Sequence, residues 1–189
     1  MPFNPVIGAY QNQPTDINFL NTHRFRVILR RCPNVVYWVQ ECNLPAMGMG
    51  NAVQPTPFVD VPRPGDKIRY EDFTMSFPVD QDMMNYREIG DWMVGLGFPQ
   101  EFGQYADLKS SYDGIYSDIW LLILDSDNNV AHTVKFIGAF PTYLSQIQFT
   151  TTVSDTIIPM VSATFKYAYW SLDDVNAGSS TVTLGDFVQ

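Results

Sequence analysis

Met160-Val161-Ser162-Ala163-Thr164-Phe165-Lys166-Tyr167-Ala168-Tyr169-Trp170 puts an apolar or aromatic side chain on every second residue from Val161 to Tyr169, with Ser162, Thr164 and Lys166 between them. That is the period of a half-buried β-strand, in which successive side chains point to opposite faces. Together with the preceding Phe136-Ile137-Gly138-Ala139-Phe140-Pro141-Thr142, this strand-rich third is the most regular part of the chain, and it holds no nucleophile or base active at neutral pH. A chain that spends its most regular sequence on sheet faces works by shape rather than by chemistry.

Upstream of this stretch the same period recurs. Phe25, Val27 and Leu29 alternate with Arg24, Arg26 and Arg30 over His23 to Arg31, and Val35 to Cys42 reads as a partner strand across a Pro33-Asn34 turn. That register sets Leu29 beside Trp38 and Arg26 beside Glu41, an apolar pair on one face and a charge pair on the other. It also pairs Cys32 with Val35 and Cys42 with Phe25, so the two cysteines are expected to be reduced packing residues. The four arginines at 24, 26, 30 and 31 are expected on a solvated strand face.

From Val53 to Val61 the chain carries Pro55 and Pro57, with Pro62 and Pro64 just beyond. Proline removes a ladder donor, so this segment is an extended edge or an arm, not a central strand. Arg63-Pro64-Gly65-Asp66 reads as a turn leading back to Asp72 through Val79, where Phe73, Met75, Phe77 and Val79 share a face. The region as a whole predicts a long projecting hairpin, and an isolated hairpin is marginal in water without a neighbouring surface.

Asp80 or Asp82 is expected to cap a helix running to about Gly95, with Tyr86, Ile89, Trp92, Met93 and Leu96 at helical spacing and Gly95, Gly97 and Pro99 as the stop. Its Met and Trp stripe is expected to lie as a lid over an open end of the sheets. Residues 98 to 117 read as a polar loop, Ile119 to Leu124 as a strand buried on both sides, and Asp125 to Asn129 as the turn to a returning strand from Val130 to Phe136. A short turn or helix is expected after Pro141, then a strand from Ile147 to Val153. Residues 1 to 20 read as an extended arm and those from Asp173 onward as a tail.

At 189 residues one sizeable core is expected, and thus a single domain over 1–189. Hydrophobic residues make up 46% of the chain and charged ones only 16%, so a large uncharged surface must be hidden in the fold or against partners. The net charge of −9 argues against a surface that grips phosphates, which needs clustered Lys and Arg. The start Met1-Pro2-Phe3-Asn4-Pro5 lacks the pattern of a secretory signal, and no run reaches the roughly 18 apolar residues of a membrane span. A soluble, cytosolic product without a membrane anchor is the expectation.

Candidate chemistry is sparse. The histidines, His23 and His132, lie in alternating strand sequence without Cys or a second His at ligand spacing. Asp125-x-Asp127-x-Asn129 begins like a calcium loop, but Val130 stands where that loop needs glycine, so a hairpin turn explains it better. Glu71, Asp72, Asp80 and Asp82 near Trp38, Trp92 or Trp120 have no spacing that singles out a glycosidase pair. Gly48-x-Gly50 lacks the third glycine and following helix of a phosphate loop. No catalytic residue, cofactor or metal is predicted.

The order of parts is more telling. A hairpin ending in Leu44-Pro45, a Pro-bearing hairpin, the strand Asp72-Phe73-Thr74-Met75-Ser76-Phe77, a helix through Asp91-Trp92, the Leu124-Asp125 hairpin, Gly138-Ala139-Phe140-Pro141-Thr142 and the closing Phe165-Lys166-Tyr167-Ala168-Tyr169-Trp170 resemble the tail tube proteins of contractile-tailed bacteriophages, the myovirus tail tube family. The likeness spans about residues 20 to 172.

It implies a mainly β fold, an antiparallel β-barrel or sandwich with one flanking α-helix. It further implies hexameric rings stacked into the inner tube of a virion tail, assembled in the host cytoplasm. Partners would be further copies of the chain, the tail sheath protein, and baseplate and tail-terminator proteins, with DNA passing through the lumen without specific binding. The arm from Ala52 to Tyr70 would then be the inter-subunit contact, through Val53, Phe58, Val59, Val61, Ile68 and Tyr70, by strand addition to a neighbour. Residues 1 to 20 and 105 to 117 are the next candidates for ring stacking. Two alternatives stand beside this: a tube-initiating or tube-terminating relative of the same fold, and a carbohydrate-binding β-sandwich with Trp and Tyr platforms.

Overall fold

The computed structural model describes residues 19–111, 114–152 and 158–174. Its elements are β1 (Phe25–Leu29), α1 (Pro33–Trp38), β2 (Glu41–Cys42), β3 (Met47–Pro55), β4 (Asp60–Tyr70), β5 (Phe73–Pro78), α2 (Met84–Gly97), α3 (Gly103–Ser110), β6 (Ser117–Leu124), β7 (Val130–Leu144), β8 (Met160–Lys166) and β9 (Tyr169–Asp174).

The fold turns on β7. Its first half, from His132 to Ile137, lies between β6 and β9, whereas Phe140 to Leu144 pairs with β8. Between the halves sits Gly138 with φ +66, a backbone conformation that a Cβ disfavours, and the ladder shifts register on both sides of it. One strand thus serves two sheets, β1-β6-β7-β9 and β7-β8-β5-β2, with every pairing antiparallel. β1 and β2 end the path unpaired with each other, so among the described residues the sheets wrap a core without closing into a barrel. The expected continuation of Pro141 into a turn or helix is corrected: the strand runs on to Leu144.

The alternation at Val161, Ala163 and Phe165 holds, all three being buried, and they face Phe77, Met75 and Phe73 across the β5–β8 ladder. The closing strand is nevertheless two strands. After Lys166 the chain crosses from one sheet to the other, Ala168 N–H donating to Ile137 O, and Tyr169–Asp174 then pairs with β7. Asp173 therefore belongs to a strand rather than to a tail; residues beyond 174, like 1–18, lie outside the described set.

The predicted hairpin at Pro33-Asn34 is overturned. Pro33 sits at the start of α1, where its fixed φ suits a helix and its missing N–H has no partner to lose. Leu29 lies opposite Ile119 and Arg26 opposite Leu122, so the partner of β1 is the distant β6. Val35 is fully buried while Val36 and Val39 pack on the core, a spacing that also fits one helical turn. Both cysteines are reduced, Cys32 buried and Cys42 half-buried on β2.

Helix α2 covers the core as expected. Ile89 and Trp92 are buried, Trp92 stacks 6.1 Å from Phe165, and its Nε1 donates to Ile115 O at 3.1 Å. Arg31 is not on a solvated face: its guanidinium lies 5.1 Å from the Trp92 ring and donates to Gly114 O. The expected Asp cap does not form: Met83 stands at the N-cap with φ +54, and Asn85, fully buried in the first turn, donates to Pro78 O and accepts from the amides of Asp80 and Tyr86. The segment read as a polar loop contains α3, whose Leu108 packs where a Cβ on Gly95 would meet it at 3.1 Å. No strand forms at residues 145–152, which corrects the one expected from Ile147; Val153 lies outside the described residues.

Candidate assembly surface

Strands β3 and β4 form a separate two-stranded sheet, and no residue along either strand is buried. The reversal is at Thr56–Val59, where the Thr56 hydroxyl accepts the Val59 amide at 3.2 Å, and not at Arg63–Asp66. Pro62 and Pro64 stand within β4 opposite Val53 and Asn51, as prolines can in a two-stranded ribbon whose outward amides need no ladder partner. Gly65 faces the bulge at Gly50, and a Cβ there would stand 2.4 Å from Gly50 O.

The register sorts the predicted contact residues. Met47 lies opposite Tyr70, Met49 opposite Ile68 and Val53 opposite Pro62, which groups these side chains on one apolar face. Met49, Val53 and Ile68 are about half exposed. Val61 pairs with Gln54 on the other face, where Arg63 and Arg69 also lie, and Phe58 and Val59 occupy the tip. Phe58 is 98% exposed. Tyr70 is turned toward its own subunit, 6.0 Å from Tyr167 and 6.4 Å from Trp170, and so anchors the root of the arm. The Tyr167 hydroxyl donates to Glu71 O at 2.7 Å, and burial, followed by the charge of Asp72, pushes its pKa up to about 12. Lys166 pairs with Asp72 at 3.1 Å beside it. Met47 and Met49 were missed as members of the apolar face; the alternation Met47-Gly48-Met49-Gly50 was the signal that could have found them.

A second exposed apolar surface lies at the far end of α2. Met93, Leu96, Tyr105, Ile115, Tyr116 and Phe140 line an open groove of about 430 Å³. Phe98 stacks with Phe102 at 5.4 Å and Tyr105 at 5.9 Å along its edge.

The described residues include no group of His, Cys, Asp and Glu arranged to hold a metal. In the Asp125 turn the carboxylate accepts the amides of Asp127 and Asn129, and Arg24 donates to Asp125 O, as a hairpin turn requires. No helix among the described residues is long and apolar enough to cross a membrane.

A ribbon with no buried residue and one exposed apolar face thus stands on a well-packed β body. A family model described as phage tail tube protein matches residues 4–173. The chain belongs to the phage tail tube protein family. This tail tube protein is similar in structure to a chain of the anti-feeding prophage tube-terminating cap, with TM-score 0.55 and 14% identity over 87% of this chain and 97% of that one. A chain of the anti-feeding prophage baseplate gives TM-score 0.57 at 10% identity over 84% and 98%. One from the sheath–tube complex of an extracellular contractile injection system gives 0.50 at 13% over 92% and 100%. At such identities the likeness is one of fold. No curated protein matches the chain. The role of the tail tube family is structural and not enzymatic, and places the protein in a phage or phage-like particle.

Proposed function

We propose that this protein assembles into stacked hexameric rings that form the inner tube of a contractile tail, the conduit through which genome DNA passes to the host. The observation that carries the reading is the arm: two long strands, none of them buried, with Met49, Val53 and Ile68 on one face. A monomer would expose that face and both ribbon edges to water, and a neighbouring copy hides both at once by strand addition. The charge fits a conduit. A hexameric ring carries about −54 before counterions, which repels phosphates and lets DNA slide. In this reading residues 1–189 form one domain made in the cytoplasm, with Val53, Phe58, Val59, Val61 and Ile68 at the contact between copies. The tube would sit inside the tail sheath protein, between baseplate and terminator proteins.

Electron microscopy of the purified protein tests this. Long hollow tubes are expected; isolated rings that never stack would assign it to tube initiation or termination, a reading the fold likeness to the terminating cap also supports. Monodisperse monomers that bind a glycan would overturn both. Deleting residues 52–69 should leave a folded core that does not assemble, and normal tubes from that variant would remove the arm from the interface.

A further inference from the structure

The arm tip and the α2–β7 groove are two exposed apolar features of the described residues, and they are complementary. Phe58 stands 98% exposed at the end of the ribbon between Pro57 and Val59. From Met47 to Pro55 the strand spans roughly 25 to 30 Å at about 3.3 Å per residue, so the tip stands far from its own root. The groove is an open hollow lined by the apolar and aromatic side chains of Met93, Leu96, Tyr105, Ile115, Tyr116 and Phe140. Its 430 Å³ lies near the lower end of the roughly 300 to 1,000 Å³ that small-ligand sites occupy, room for one aromatic ring and its flanking residues.

Charge points the same way. Met47 to Tyr70 carries Arg63, Lys67 and Arg69 against Asp60 and Asp66, a net +1, which leaves −10 on the rest of the chain. Residues 84–118 and β7, which supply the groove's lining, carry Glu88, Asp91, Glu101, Asp107, Asp113 and Asp118 against Arg87, Lys109 and Lys135, a net −3. A ribbon of net positive charge with an aromatic tip thus complements the acidic part of the chain that forms the groove.

We propose that Phe58 of one copy inserts into the groove between α2 and β7 of a second copy, a knob-in-hole contact that fixes the relative position of neighbouring subunits. The inference rests on the tube reading and adds the acceptor surface for the arm. Because knob and hole lie on different parts of one subunit, the contact is heterologous: it propagates from copy to copy and closes into a ring when the rotation permits. The Met and aromatic lining suits such a seat, since aromatic anchors in desolvated pockets dominate interface energetics.

The test replaces Phe58 with the photo-crosslinker benzoylphenylalanine and mixes the variant with isotopically heavy wild-type protein before irradiation. Mixed-isotope adducts mapped to residues 93–105, 115–116 or 140–141 are expected. Adducts confined to one chain, or to any other surface of the second copy, would overturn the proposal while tubes seen in the same sample keep the tube reading intact. A sample with no assembly of wild-type protein at any concentration would sink both. As a second readout, Phe58→Ala should raise the protein concentration needed for assembly by about tenfold or more, and so should filling the hollow with Leu96→Trp; an unchanged threshold in both overturns the contact.

Discussion

The β5–β8 ladder and the β3–β4 ribbon are built on the same plan, two antiparallel strands with prolines at or near their ends, yet one has a buried face and the other has none. Phe73, Met75, Phe77, Val161, Ala163 and Phe165 of the first pair are buried in the core, whereas no residue along β3 or β4 is buried. Burying side chains of that size contributes about 1.5 to 3 kcal/mol each, which offsets much of the cost of ordering the strands that carry them. The ribbon has no such term within its own subunit. One pair is held by its own fold; the other leaves its apolar face exposed within the subunit. In the proposed tube, the division between folding and assembly is therefore a division between elements.

Mutations separate the two most sharply at the core. Trp92→Ala should cost about 3 to 5 kcal/mol of subunit stability, since it empties the seat against Phe165 and also removes the Ile115 hydrogen bond and the platform under Arg31. Urea unfolding followed by far-UV circular dichroism reads this directly, and a loss below about 1 kcal/mol would mean that α2 does not close the core. Asn85→Ala should cost less, about 1 to 3 kcal/mol, by stranding the Pro78 carbonyl and the Asp80 and Tyr86 amides at the helix start. The same unfolding measurement checks it.

How much of this was legible in the sequence depended on whether the deciding partner was local. The alternation at Val161, Ala163 and Phe165, the shared face of Phe73, Met75 and Phe77, and the Ile89 and Trp92 stripe each have a period set within a few residues, and the structure places all of them in the core. The hairpin at Pro33-Asn34 failed because Val35, Val36 and Val39 suit either one helical turn or a strand, and the choice fell to β6, which claims β1 from far along the chain. The position of the arm's reversal failed for another reason. Arg63-Pro64-Gly65-Asp66 has turn composition, but opposite Gly50 it serves a bulge, a distinction that depends on the facing strand. Of the residues expected at the contact, Val53, Phe58, Val59 and Ile68 stand exposed on the arm, whereas Tyr70 faces inward on Tyr167 and Trp170. The groove was invisible, because Leu96, Tyr116 and Phe140 come from three separate elements and none carries a local signal.

A milder perturbation tests the ribbon. In Gly65→Ala the new Cβ would overlap Gly50 O, and because both atoms at the contact are backbone, the ribbon must kink. Subunit stability should change by no more than about 0.5 kcal/mol, since the arm shares no buried core, while tube formation seen by electron microscopy should fall steeply. Equal losses in stability and assembly would contradict the separation of the two regions.

The smallest effect lies where the regions join. Burial raises the Cys42 thiol from 9.0 to about 11, and burial with the Asp72, Tyr70 and Glu71 environment raises Tyr167 from 10.0 to about 12. Below about pH 8 both groups are protonated whether the chain is folded or not, so neither contributes to the pH dependence there. Between about pH 8 and 12 the unfolded chain releases protons that the folded one retains, and stability falls as pH rises. Partial exposure of both side chains to solvent and salt keeps the loss modest. Its location is more informative than its size. Ionising Tyr167 removes the donor to Glu71 O and places a second negative charge beside Asp72, directly at the root of β4. Hydrogen exchange should therefore accelerate along Met47 to Tyr70 at a lower pH than along β5 and β8, and Tyr167→Phe, which cannot ionise, should flatten the upper part of that profile. Acceleration that begins in the β5–β8 ladder, or one that Tyr167→Phe leaves unchanged, would show that the arm is not tethered through this tyrosine.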